Sequence, residues 1–243
     1  MKKEIKIAII GLGYVGLPLA RLFATKYKVV GFDINKERVA ELKKGIDATL
    51  EVENEVLQKV LVDHSNSEKG LFCTTSLEDI KNCNYYIVTV PTPVDKNNKP
   101  DLTPLVKSSE TVGSVLKQND IVIYESTVFP GATEEVCVPI LEQSSGLKFN
   151  TDFYVGYSPE RINPGDKEHT LTKIVKVSSG SDPEAAEIIA QVGVGYDNIS
   201  VKSAESKKIK VTNPATGDLI AEIPNFGKKE TTNAIDSADK LHV

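Results

Sequence analysis

The residues best placed to do chemistry lie near the start of the chain. Gly11-Leu12-Gly13-Tyr14-Val15-Gly16 follows the apolar run Ile5–Ile10 and precedes a helix-like stretch, and a second apolar run, Val29–Phe32, ends on Asp33. A G-x-G-x-x-G alone is a weak signal. One that leaves a strand, opens a helix and is followed by an acidic residue at the next strand end is the fingerprint of dinucleotide binding. Each residue type has a physical reason. Gly11 permits a tight turn, Gly13 lets backbone approach a pyrophosphate, and Gly16 lets helix and strand pack closely. The helix N-terminus offers free N–H groups and the positive end of its dipole to phosphate oxygens. Asp33 can accept from both ribose hydroxyls and repels a 2′-phosphate, which selects NAD over NADP. An ordinary glycine-rich turn without a ligand is the alternative, and the complete order of elements argues against it.

No other chemistry is signalled as clearly. The cysteines Cys73, Cys83 and Cys137 form neither a disulfide framework nor a metal-ligand spacing, and no metal is expected. They read as core residues of a protein in a reducing compartment. His64, His169 and His242 match no site motif and read as surface positions. The formal net charge of −5 argues against nucleic acid or an anionic membrane as partner. Lys2 and Lys3 before an apolar run faintly resemble a signal peptide, but Glu4 and Lys6 interrupt it. No run approaches the ~20 apolar residues of a membrane span. A cytoplasmic location is expected.

The elements that must position the loop alternate along the chain, which predicts an α/β fold, a doubly wound parallel sheet. After Asp33 the pattern predicts helices over 35–44 and 53–61, a strand over 71–74, and a helix capped by Ser76 with Asp79 as its acidic partner. A strand over 85–90 is apolar throughout, as burial on both faces requires. Thr103-Pro104 caps and starts a helix to about residue 117. A strand over 120–125, a helix over 134–142, strands over 153–157 and 173–177, and a helix from Asp182-Pro183 to 191 complete residues 1–192 as one Rossmann-type domain. Residues 193–243 differ in character: glycine-rich, then lysine-rich, then a turn cluster Asn213–Asp218 between two short strands, with an amphipathic helix over 231–241. A hairpin and one helix are too little for an independent core.

Further blocks lie where strands end, the edge at which such sheets bind ligands. They are Val90–Asp95 with Lys99–Pro104, Glu125–Glu135, and Gly156–Asp166. Together with the glycine loop, these blocks closely resemble the UDP-glucose/GDP-mannose dehydrogenase family. Pro91-Thr92-Pro93, Glu125-Ser126-Thr127 and Tyr157-Ser158-Pro159-Glu160-Arg161 are most similar to its branch acting on UDP-N-acetylhexosamines, the UDP-N-acetylgalactosamine/glucosamine 6-dehydrogenases of surface-polysaccharide synthesis. The resemblance implies oxidation of the sugar C6 alcohol to a carboxylate in two hydride transfers to NAD, with a cysteine thiol capturing the aldehyde and a thioester then hydrolysed. It leaves the GlcNAc and GalNAc epimers as alternatives.

The resemblance also implies roles. Gly11, Gly13, Tyr14, Val15, Gly16, Asp33 and Arg38 would hold the cofactor. Pro91, Thr92 and Pro93 would pass beside its nicotinamide half, where proline holds a loop close without an unpaired N–H. Ser126 and Thr127 would pack on the cofactor, Thr127 also placing the hydrolytic water. Glu160 would work with that water as general base, and Arg161 would contact substrate or orient Glu160. A surface Glu160–Arg161 ion pair is the alternative, and Glu125 reads as structural. The family's central-helix lysine and asparagine, its Gly-Gly-His-Cys nucleophile motif, its sugar pocket and its dimer-forming helix have no match in this sequence. Residues 208–241 instead resemble the N-terminal strands of aldehyde dehydrogenases of the succinate-semialdehyde type, without that family's catalytic motifs. A chimeric or truncated product accounts for both resemblances.

Overall fold

The fold is described from a computed structural model, at residues 4–64, 67–94, 96, 99–158, 178–182, 185–186, 189, 208–212 and 219–224. The chain divides into two compact units, Met1–Val201 and Lys202–Val243. The expected boundary at 192/193 and the expected helix over 231–241 lie outside the described residues.

The first unit is built on a seven-stranded sheet in the order β3-β2-β1-β4-β5-β6-β7. Its strands are β1 (Lys6–Ile10), β2 (Lys28–Phe32), β3 (Gly70–Thr74), β4 (Tyr85–Val88), β5 (Asp120–Tyr124), β6 (Phe153–Tyr157) and β7 (Ser179–Gly180). Six run parallel, and β7 pairs antiparallel with β6. The strands read as apolar runs because helices cover both faces. Alternation in β1 shows the two layers. Ile7 and Ile9 pack with Leu17, Phe23 and Leu42, whereas Ala8 and Ile10 pack with Leu105, Val112 and Tyr124. Helices α1 (Gly16–Ala24), α2 (Lys36–Lys43) and α3 (Asn54–Gln58) thus cover one face, and α4 (Leu77–Ile80), α5 (Thr103–Gly113) and α6 (Val138–Ser145) the other.

Local signals fix most ends. The Asn35 side chain accepts from the Glu37 and Arg38 amides and starts α2, and Gly45 at φ +71° closes that region. Gly146, at φ +72°, ends α6. Other expectations need correction. Helix α3 is shorter than 53–61, and α5 stops at Gly113 rather than near residue 117. Ser76 makes no side-chain cap, because Asp79 accepts from the Thr74 hydroxyl at 2.6 Å. Leu102, not Thr103, caps α5, and Asp101 accepts from the Thr103 amide at 2.9 Å. The helix expected over 134–142 begins as a π-helical turn, Thr133–Cys137, before α6. Strand β7 was not foreseen, and the expected strand over 173–177 lies outside the described residues.

In the second unit, β8 (Lys208–Thr212) and β9 (Leu219–Pro224) form the expected antiparallel hairpin. Among the described residues no helix is long and apolar enough to cross a membrane.

Candidate functional site

The glycine loop sits at the C-terminal end of β1, the central strand at which the sheet order reverses, where open parallel sheets bind ligands. Three restraints set its shape. Gly11 takes φ +97°, and its amide donates to Phe32 O at 2.8 Å, tying the turn to β2. A Cβ on Gly16 would lie 1.9 Å from Gly11 O and 2.5 Å from the Thr89 hydroxyl, so only glycine lets α1 start this close to the strand. Gly13 differs, because a Cβ there would meet nothing within 4 Å. That side of the loop is open, which fits a glycine kept for a ligand. Tyr14 is 57% exposed at the lip of the loop, and Val15 caps α1 with no side-chain hydrogen bond over the first amides.

Asp33 stands at the end of β2, half-buried, facing the loop. Oδ2 accepts from the Leu12 amide and Oδ1 from the Asn35 amide, each at 2.8 Å. The same carboxylate therefore orients the loop and the start of α2, and each oxygen has a lone pair left for a ribose hydroxyl.

Arg38, expected as a cofactor contact, is buried; Nε and Nη2 bond the protein itself, while Nη1 is buried with no partner among the described residues. Its Nε donates to Leu12 O at 3.0 Å, and its Nη2 pairs with Asp47 Oδ1 at 2.7 Å. Asp47 is fully buried and also accepts from the Thr49 hydroxyl and amide and from the Glu51 and Val52 amides. Burial alone would raise the Asp47 pKa. The hydrogen bonds from the Thr49 side chain, the Val52 amide and Arg38 outweigh it, and the carboxyl lies below the ordinary value.

The loop after β4 holds Pro91, Thr92 and Pro93. Both prolines are exposed, while the Thr92 Oγ1 is buried with no partner among the described residues. A buried hydroxyl left unpaired beside the glycine loop's strand end is the second feature that fits a bound cofactor. Ser126, after β5, is buried, and its hydroxyl donates to Val90 O at 2.6 Å, fastening the two loops together; Thr127 beside it is exposed. Glu125 is buried. Glu160 and Arg161 lie outside the described residues, as do His169 and His242; His64 is exposed.

All three cysteines are buried. Burial pushes Cys73 and Cys83 up to about 12, and it raises Cys137 despite hydrogen bonds from Ser109 and Tyr124. None has the environment of a thiolate nucleophile. Among the described residues no cluster could hold a metal.

Two residues that matter were missed. Thr89 directly follows β4, and its hydroxyl donates to Ile10 O and Gly11 O, holding the base of the loop. A hydroxyl interrupting an apolar strand was the available signal. Asp47 lies far enough along the chain from the motif that nothing in its spacing marked it.

Residues 5–194 match the model of the UDP-glucose/GDP-mannose dehydrogenase family, NAD binding domain. The chain is 56% identical over 216 residues to UDP-N-acetyl-D-glucosamine 6-dehydrogenase of Pseudomonas aeruginosa, with 85% of this chain and 49% of that protein covered. It is 52% identical over 203 residues to Protein CapL of Staphylococcus aureus, covering 84% and 46%. The solved structure of a UDP-D-ManNAc dehydrogenase from Pyrococcus horikoshii superposes with a TM-score of 0.72 at 34% identity, covering 82% of this chain and 46% of the other. The chain spans about half the length of these relatives. With the glycine loop, the sheet order and the match over 5–194 in agreement, the chain belongs to the UDP-glucose/GDP-mannose dehydrogenase family and carries its NAD-binding domain.

Proposed function

We propose that this chain supplies the NAD-binding part of a UDP-N-acetylhexosamine 6-dehydrogenase that makes uronic acid precursors of surface polysaccharide. The observation that carries the reading is the loop itself: an open Gly13 beside a Gly16 with no room for a side chain, facing Asp33. The 56% identity to a UDP-N-acetyl-D-glucosamine 6-dehydrogenase supports the substrate class. Bound here, NAD would accept the hydride leaving the sugar carbon. The amides at the start of α1 would hold its pyrophosphate, Asp33 its adenosine ribose, and Pro91–Pro93 with Ser126 and Thr127 its nicotinamide half. Glu160 would act as general base and Arg161 as a substrate contact. Three unpaired cysteines support a reducing, cytoplasmic location.

A second reading, a nucleotide-binding module without turnover, is favoured for the isolated chain by the burial of every cysteine. Capture of an aldehyde between two hydride transfers requires an activated thiolate near the nicotinamide. Calorimetric titration with NAD and NADP tests the cofactor site. NAD should bind more tightly, and Asp33→Ala should remove the preference; equal affinity for both would sink the assignment. UDP-GlcNAc or UDP-GalNAc added with NAD should give no NADH from this chain alone. NADH formed at an enzyme-like rate, about 1–10³ per second, and abolished by Glu160→Ala, would place the whole activity in it.

A further inference from the structure

The buried ion pair beside the glycine loop joins α2 to the turn after it and reaches the loop itself. Asp47 is 2% exposed, and its two carboxylate oxygens take five hydrogen bonds, from Arg38, from the Thr49 hydroxyl and from the amides of Thr49, Glu51 and Val52. The Arg38 guanidinium it grips reaches the loop through Nε on Leu12 O, and the amide of that same Leu12 donates to Asp33. Asp47, Arg38, Leu12 and Asp33 are thus links of one continuous chain of hydrogen bonds. Thr49 closes it, since its hydroxyl donates to Asp47 and lies 3.4 Å from Arg38 Nη2.

We propose that Asp47 is a positioning and specificity residue: by holding Arg38 down on the loop it fixes Asp33 for a ribose diol and denies the guanidinium to a 2′-phosphate. The inference rests on NAD binding over Gly11–Gly16 with Asp33 on the ribose. Its physical basis is that an arginine near the residue ending β2 is the group by which related sheets accept a 2′-phosphate. Arg38 sits on α2, five residues after Asp33, with the position and charge for that task. A cation already paired with a buried carboxylate, its one unpaired nitrogen Nη1 itself buried, offers a phosphate little, and leaving Asp47 unpaired in the interior would be costly. Selection against NADP is then a joint property of two carboxylates. Asp33 repels the phosphate, and Asp47 immobilises the cation that would attract it.

The test compares NAD and NADP binding by calorimetry in the full chain and in Asp47→Asn, with thermal melts of both. The variant keeps the shape and loses the charge. NAD affinity should fall about tenfold and the NAD:NADP ratio by at least that factor, because Arg38 becomes available. Thr49→Val removes only the hydroxyl shared by Asp47 and Arg38, which a half-buried loop position tolerates. It should lower the ratio about threefold, and it carries the test alone if Asp47→Asn does not fold. An unchanged ratio in the folded variant, with the melting temperature lowered or not, would overturn the proposal and leave Asp47 a packing residue. A wild-type chain that binds no NAD would instead overturn the cofactor site on which the proposal stands.

Discussion

Gly13 and Gly16 are three residues apart, and the same added methyl group should have opposite effects at each. At Gly16 it would fall 1.9 Å from a backbone oxygen that cannot turn aside. Gly16→Ala should therefore destabilise the fold by about 3 kcal/mol or more, at the upper end of overpacking costs. At Gly13 the methyl meets open space. Gly13→Ala should melt like the wild type while losing NAD affinity about tenfold or more, equivalent to about 1.4 kcal/mol. Thermal melts and NAD titrations on the two variants separate a glycine required by the protein from one required by its ligand. A Gly13 variant with undiminished affinity would show that the pyrophosphate does not pass there.

At the scale of the elements, β3, the turn before β4 and the π-helical turn each bury one thiol. Their raised pKa values have a direction in pH. The folded state holds neutral thiols, so the stability they support is fully present below the ordinary value of 9.0 and is lost as pH rises from there toward about 12. At mildly alkaline pH, a thiol reagent should react with none of the three cysteines in the native chain and with all of them once it is denatured. Rapid native labelling would contradict the burial.

The strands of the first unit were largely legible in sequence because burial on both faces leaves runs such as Ile121–Tyr124 that few other structures tolerate. Helix boundaries were less so. Whether Ser76 or Thr103 caps a helix depends on where Thr74 and Asp101 point, and that is settled by tertiary contacts rather than by spacing. The shape of the glycine loop was readable because a tight turn from strand into helix constrains residue type at fixed intervals. Asp47 and Thr89 were not, since each reaches the loop across the fold.

For the molecule as a whole, every described residue assigned to the NAD site belongs to the first unit, and the β8–β9 hairpin belongs to the second. A chain ending at residue 201 should bind NAD with the affinity of the full chain. A loss of more than about tenfold in calorimetry would show that the second unit contributes to the site.

The sheet order also sets a timetable. Strand β1 is made first but lies inside the sheet, and its later-made neighbour β4 pairs Tyr85 with Ile7; the Lys6 amide finds its acceptor on Asn84, 78 residues away. During synthesis at about 5–20 residues per second, the glycine loop meets Asp33 and Arg38 early, while the Thr89 hydroxyl that holds its base arrives seconds later. The nascent loop therefore passes through a period in which its fingerprint is complete and its geometry is not. A newly made chain should become able to retain nucleotide only after the fourth strand has left the ribosome.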